Sequence, residues 1–259
     1  MNTKDQKPEE RKKNIHNLYK NKYHLHPVFK YFYHCTSIKN LNSILNSGLI
    51  SHNDLEVGDI PYTTHSNKAI VERRDKKTIG GKEVVPSLSF AYNVNDFVPF
   101  YLIPDSPAIN GLSSGEDCCI LAIDIKVIID PEIHCIFSDG NAANNDTKFE
   151  FNIDIIDFAL LIPNMKEAQS AAWQQTSLTM DGNFTRIKKK YLSSKEIMRV
   201  RNAEFLAFSM QGCISSEYIK HVHFINPDSF NSGSFDLGNC THSMSTVSPL
   251  HLNRSQKFT

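Results

Sequence analysis

Glu204 is a single carboxylate placed where a charged segment, Arg199-Val200-Arg201-Asn202-Ala203, gives way to the apolar run Phe205-Leu206-Ala207-Phe208. That run is too short and apolar for another helix and reads as a buried strand. A carboxylate at the mouth of such a strand is held by a rigid frame and can orient a substrate. The competing reading is a surface glutamate at a strand edge. Ile70-Val71-Glu72-Arg73-Arg74 is a short helical turn by composition, and its arginines could clamp phosphates or carboxylates, or could be a solvated face. His34 and Thr36 are two apart in an aromatic-rich run and share one face of a strand, where His34 is a ligand group or a satisfied half-buried imidazole. Asp139-Gly140-Asn141 is a turn sequence that closes a hairpin or brings backbone N–H groups to a ligand. Lys188 and Lys189 belong to a basic run, Arg186 to Lys190, which is a local phosphate-binding patch or an ordinary solvated loop. His221-x-His223 would present two rings on one strand face, but no further ligand lies near, so no metal is expected.

Twenty-eight basic residues balance 28 acidic ones over 259 residues. Such a chain is no bulk electrostatic binder of nucleic acid and needs a local basic patch for that purpose. No apolar stretch approaches the roughly 20 residues of a membrane helix, and the polar first 30 residues hold no apolar signal-peptide core, so neither membrane nor secretion is expected. Six cysteines with no C-x-x-C spacing read as reduced thiols in a cytoplasmic protein. No internal repeat, P-loop, G-x-G-x-x-G or G-x-S-x-G signature is present.

The elements that must position these groups follow in order. Residues 1–29 form a polar, basic lead, disordered over 1–13 with a short basic helix at Asn14 to Lys22. Tyr31 to Thr36 is a strand, followed by a helix with Ser37 as N-cap, Leu41, Ile44 and Leu45 on one face, and Gly48 as its stop. Ile50 to Lys82 lacks apolar periodicity, and a polar stretch that long is functional or mobile. Val98 to Pro104 is an apolar strand whose prolines suggest a sheet edge. Cys119 to Ile129 begins as a buried strand, and Ile133 to Phe137 is a short second one. Ser193-x-x-Glu196 is a capping box that would start a helix at Lys195. His221 to Ile225 is expected as the last strand, and residues 229–259 as a flexible tail.

Five fragments in this order resemble the DarT toxins, ADP-ribosyltransferases that modify bases in DNA. They are Tyr33-His34-x-Thr36 with Asn40-Leu41-x-x-Ile44-Leu45-x-x-Gly48-Leu49; Ile70-x-x-Arg73-Arg74; Val98-Pro99-Phe100-Tyr101-x-x-Pro104-x-Ser106-Pro107; Phe137-Ser138-Asp139-Gly140-Asn141-Ala142; and Arg201-x-Ala203-Glu204-Phe205-Leu206. The resemblance implies an α+β ADP-ribosyltransferase fold over residues 30–228, with a split mixed sheet, an NAD⁺ cleft and peripheral helices. It implies transfer of ADP-ribose from NAD⁺ to a base of single-stranded DNA, thymidine in the best-known branch, and a toxin opposed by a macrodomain antitoxin (DarG). No metal is implied. Glu204 takes the role of the catalytic glutamate, and Arg73 or Arg74, which sequence does not separate, that of the arginine near the pyrophosphate and the base. His34, Thr36, Asn40, Gly48 and Leu49 fall on the NAD⁺ side. Tyr101, Asn141, Arg199, Arg201, Lys188 and Lys189 fall on the nucleic-acid side. Tyr101, Phe100 or Trp173 could stack on a base or simply pack in the core. Two positions depart from the family pattern: Asp105 stands where Pro-Arg-Ser-Pro has arginine, and Asn141 where the turn often has histidine. With a longer stretch from Trp173 to Lys195, they keep RNA, guanosine or protein open as acceptors, and a non-catalytic relative that binds NAD⁺ or nucleic acid as a different class.

Overall fold

The computed structural model describes residues 31–64, 66–80, 91–104, 106–112, 117–150, 156, 194–231 and 233–244. The expected helix at Asn14 to Lys22, the capping residue Ser193, and Asp105, Trp173, Lys188 and Lys189 lie outside the described residues.

Cys118–Asp124 (β5) carries no polar side chain before Asp124, so it suits an interior position covered on both faces. It pairs with Tyr31–Ser37 (β1) along its whole length, from Tyr31↔Asp124 to Ser37↔Cys118. Around this pair stand Val98–Tyr101 (β4), Ile133–Ser138 (β6), Phe149–Glu150 (β7), Glu204–Ser209 (β8), Ile219–Phe224 (β9) and Thr241–Met244 (β10). The strand order is β10-β9-β5-β1-β4-β8-β6-β7. The β9–β10 pair is parallel and the others are antiparallel. Thr78–Gly80 (β2) and Ala91–Asn93 (β3) form a separate two-stranded sheet, whose Ile79 packs with Ile136, Phe149 and Leu206 of the large one. One face of the large sheet is ordered by four phenyl rings, one per strand. Phe205 stacks on Phe32 at 4.5 Å between centroids, on Phe137 at 5.3 Å and on Phe100 at 5.5 Å. Phe100 is fully buried in this row, so the base-stacking reading does not hold for it.

The prolines around β4 do not place it at an edge. It lies between β1 and β8, in register with β8 over four residues, but its ladder to β1 is a single pair, Tyr33↔Tyr101. Beyond that pair the sheet is split, and His34 Nδ1–H donates to the Pro99 carbonyl at 2.9 Å. The N–H and C=O of one strand residue point the same way, so the missing N–H of Pro99 falls on the split side, where no ladder bond is lost.

Ser37 caps as expected, accepting from Lys39 N, but the first turn is a 3-10 turn over Ile38–Asn40 and the α-helix (α1) is Leu41–Ser47. Gly48 ends it at φ 86°, where a Cβ would meet the Ile214 carbonyl oxygen at 2.4 Å. This is a close approach that only glycine permits. Two further short helices, His52–Val57 (α2) and Lys68–Asp75 (α3), occupy the polar stretch that shows no apolar periodicity. The helical turn expected at Ile70 to Arg74 lies within α3; the only residue the helix buries is Arg74, so it carries no hydrophobic stripe. Pro107–Leu112 (α4) and Ser194–Arg201 (α5) complete the site, with α5 starting one residue before Lys195.

The expectation of a flexible tail from 229 is corrected over its first half. Pro227–Asn231 (α6) and β10 continue the fold, and Phe230, Phe235 and Leu237 pack against the core, Phe230 on Phe224 at 4.9 Å. The Ser/Asn/His composition hid this because β10 is mostly exposed. Side chains fasten it to β9. The Ser243 hydroxyl lies 2.7 Å from His221 Nε2 and 2.8 Å from His223 Nδ1, and Thr241 Oγ1 lies 2.6 Å from His221 Nδ1. Burial, with His221 adding to it, lowers the His223 pKa to about 4. Between about 4 and its ordinary 6.5 the unfolded chain binds the extra proton, so stability contributed here is complete above 6.5 and lost as pH falls toward 4. Urea unfolding followed against pH is expected to show this slope between pH 6.5 and 4, and His223→Gln is expected to flatten it; an unchanged slope in the variant would remove His223 as its source.

Candidate active site

Glu204 is the first residue of β8, opposite Tyr101 on β4, and is 0% exposed. It is therefore no strand-edge surface group. A carboxylate buried this completely must have its oxygens satisfied. Oε2 accepts from Arg74 Nη1 at 2.8 Å, and Oε1 accepts from the backbone N–H of Ala142 at 2.9 Å. The backbone is held as well, since Glu204 N–H donates to Ser138 Oγ at 3.0 Å. The single hydroxyl proton of Ser138 goes to Gly140 O at 2.6 Å, tying the same serine into the turn that supplies Ala142. The 139–142 turn thus brings a backbone N–H to a protein carboxylate, one of the uses its sequence allows. Ser138 is a positioning residue that sequence reasoning missed, because its role depends on β6 lying beside β8.

Arg74 reaches Glu204 because α3 is anchored at its C-terminal end. Lys77 N–H donates to Arg74 O, Val94 N–H to Lys77 O, and the buried Asn95 side chain to Val71 O. Burial works against the charge on Arg74, but the Glu204 carboxylate outweighs it, and its pKa lies above the ordinary arginine value. Its Nη2 is buried and has no hydrogen-bond partner among the described residues. Arg73, one residue earlier, is exposed, and its Nε donates back to Ala69 O of the same helix. The structure thus separates the two arginines: Arg74 belongs to the site and Arg73 faces away from it. Burial, followed by the Glu204 charge, also raises the Tyr101 pKa far above its ordinary value and keeps the phenol neutral. Tyr101 is 7% exposed and packs with Tyr33 and Ile109, so it is mainly a core residue with an edge in the cleft.

A cleft of about 590 Å³ opens at the split between β1 and β4. His34, Thr36, Asn40, Gly48, Leu49, Arg74, Tyr101 and Asn141 all line it. Glu204 communicates with it through Arg74. His34 is half-buried, burial lowers its pKa against the opposing effect of the Pro99 carbonyl, and its donated Nδ1–H leaves Nε2 as the acceptor. Gly48 and Leu49 hold the wall by backbone, through the Leu49↔Ile214 bridge. Asn141 spends its side-chain oxygen on Ala143 N–H at 2.9 Å.

Two of the cations expected on the nucleic-acid side are engaged or covered within the fold. Arg199 binds both oxygens of Asp139, at 2.7 and 2.8 Å, and the Asp146 carbonyl at 2.8 Å, fastening α5 to the turn. Arg201 is 4% exposed. Among the described residues no group of three or more His, Cys, Asp or Glu could hold a metal, and no helix is long and apolar enough to cross a membrane.

The family model for the ssDNA thymidine ADP-ribosyltransferase DarT matches residues 33–248. The chain belongs to the DarT family. A "DNA ADP-ribosyl transferase" of Mycobacterium tuberculosis (strain H37Rv) is 29% identical over 141 residues, 50% of this chain and 58% of that protein, so the chain spans a little over half the length of this curated relative. The structure of Thermosipho africanus DarTG in complex with ADP-ribose has a TM-score of 0.56 at 20% identity, covering 83% of this chain and 49% of that one. That of Thermus sp. 2.9 DarT in complex with ADP-ribosylated ssDNA has a TM-score of 0.55 at 18% identity, covering 78% and 85%. The same Thermus protein in complex with NAD⁺ gives 0.52 at 15% identity, covering 84% and 96%. At these identities the likeness shows the fold, an α+β DarT fold built on a mixed sheet.

Removing one partner of a buried ion pair strands the other charge, so Arg74→Leu is expected to cost about 3–5 kcal/mol in urea unfolding. Arg74→Leu combined with Glu204→Leu is expected to recover much of that loss. A single variant as stable as the parent would mean that the pair is not closed in solution.

Proposed function

We propose that this DarT-family protein transfers ADP-ribose from NAD⁺ to a base, thymidine first among the candidates, of single-stranded DNA. The observation that carries the reading is the buried Arg74–Glu204 pair opening through Arg74 onto the cleft. NAD⁺ fits what the cleft offers: about 590 Å³ lies in the usual range for small-molecule sites, and Arg74 Nη2 is a buried cationic donor awaiting an oxygen. His34, Thr36, Gly48 and Leu49 form the wall proposed to hold the adenosine side, and Arg74 the group that meets the pyrophosphate or the base. NAD⁺ would supply the ADP-ribosyl group, with nicotinamide leaving neutral and taking the electron pair of the broken glycosidic bond, while the acceptor base's nitrogen bonds the ribose carbon and releases its proton to solvent. Glu204 keeps Arg74 charged and oriented, and its carboxylate lowers the energy of the positive charge that develops on the ribose as that bond breaks. Both groups are preset by Ser138, Ala142 and α3, so little reorganisation is needed. The acceptor base must be unstacked, which single-stranded DNA permits at less cost than duplex. Tyr101 and Asn141 are the cleft residues proposed to face it. A macrodomain antitoxin that reverses the modification is the proposed partner, and the cytoplasm the proposed compartment.

The test is incubation of the protein with NAD⁺ and mixed single-stranded DNA and RNA oligonucleotides, read by mass spectrometry. A gain of one ADP-ribose on DNA is expected, with Glu204→Ala slower by on the order of 10²–10³-fold or more. A gain on RNA alone would replace the acceptor, and the absence of any gain on DNA or RNA would overturn the reading.

A further inference from the structure

We infer that Asn40 is a positioning residue that holds the segment from Asp59 to Thr64 as a wall of the cleft, and that it sets the affinity for NAD⁺ through this wall rather than by contact. The inference rests on the reading of the cleft as the NAD⁺ site. Asn40 ends the first turn after β1, and its amide bonds face the segment and the strand together. Nδ2 donates to the Thr63 carbonyl at 2.8 Å and to Thr36 Oγ1 at 3.2 Å, and Oδ1 accepts from Thr63 N–H at 2.8 Å. An amide that gives one donor and one acceptor to the same residue's backbone copies a ladder pair, so it replaces a strand neighbour that the segment lacks. Both amide protons and one oxygen lone pair are thereby committed.

The segment needs such a tether. It begins at Asp59, which holds φ 48°, a conformation that non-glycine residues adopt at a cost. It has no strand or helix hydrogen bonds from Pro61 to Thr64. Ile60, Tyr62 and Thr63 nevertheless line the cleft across from β1. One residue before the tether, the Tyr62 hydroxyl is held from outside by α2, donating to Glu56 Oε1 at 2.6 Å and lying 2.9 Å from His52 Nδ1. Beyond the tether, the chain leads into Asn67, the N-cap of the helix that carries Arg74. The tether therefore fixes the cleft wall. Asn42, two residues on, is a matched control: it is exposed, and its Nδ2 donates to Ser234 O at 3.0 Å, away from the cleft.

Amide hydrogen exchange of the ligand-free protein reads the tether directly. In Asn40→Ala, Thr63 N–H loses its acceptor, and its exchange and that of its neighbours is expected to rise by about tenfold or more. In Asn40→Asp the acceptor oxygen remains while the second oxygen repels the Thr63 carbonyl, so a smaller rise is expected; this variant also keeps the test open should Asn40→Ala fail to fold. Asn42→Ala is expected to leave exchange over 59–64 unchanged. With NAD⁺ and DNA, Asn40→Ala is expected to raise KM for NAD⁺ by about fivefold or more with kcat altered by less than about twofold. Unchanged exchange over 59–64 in both Asn40 variants would overturn the inference, whatever the cleft binds. Raised exchange with unchanged affinity for NAD⁺, measured by titration calorimetry, would overturn the link from wall to affinity, while loss of NAD⁺ binding by the parent protein would fall on the reading of the cleft instead.

Discussion

The site depends on one buried ion pair, Arg74 with Glu204. Burying two charges costs several kcal/mol per ion, and a pair holds only when each remaining polar atom finds a partner. Glu204 meets that condition through the Ala142 N–H. Arg74 does not, because Nη2 is left without one among the described residues. The imbalance has a direction: the fold satisfies the carboxylate completely and leaves the guanidinium one donor short, on a residue that lines the cleft.

Much of the surrounding architecture serves that pair. The turn after β6 exists at this place because Ser138 binds both the Glu204 N–H and the Gly140 carbonyl, and because Arg199 clamps Asp139 from α5. The short helix α3 has almost no apolar face, and it is held instead by hydrogen bonds to the 3-10 turn Val94–Asp96 and by Arg74 itself. The phenyl row through Phe32, Phe100, Phe205 and Phe137 keeps four strands in step. The split between β1 and β4 then supplies the opening, with a proline on the side where its missing N–H loses no ladder bond.

Several features are legible in the amino-acid sequence. Glu204 before an apolar run, Ser37 and Gly48 around a helix, the 139–141 turn and the long apolar strand at Cys119 are local signals in the residues themselves. The five ordered fragments carry the family and, with it, the fold, because a turn, a cap and a strand each need particular residues wherever they occur. Less legible are α2 and β10. They bury little apolar surface of their own, so neither period 3.6 nor period 2 appears in their residues.

The choice between neighbouring like residues belongs to the tertiary structure alone. Arg73 and Arg74 are identical side chains one position apart, and a helix turns them roughly 100° from one another; only the packing of α3 against the sheet says which meets Glu204. Arg199 and Arg201 read as cations for nucleic acid, yet Asp139, 60 residues away in sequence, engages one and burial takes the other. Asn40 reads as a ligand group and instead bonds Thr63, 23 residues on. The residue types and local turns of the site are written in the sequence because they depend on near neighbours. Which charge is spent on the fold and which is kept for a substrate depends on partners brought close only by the sheet.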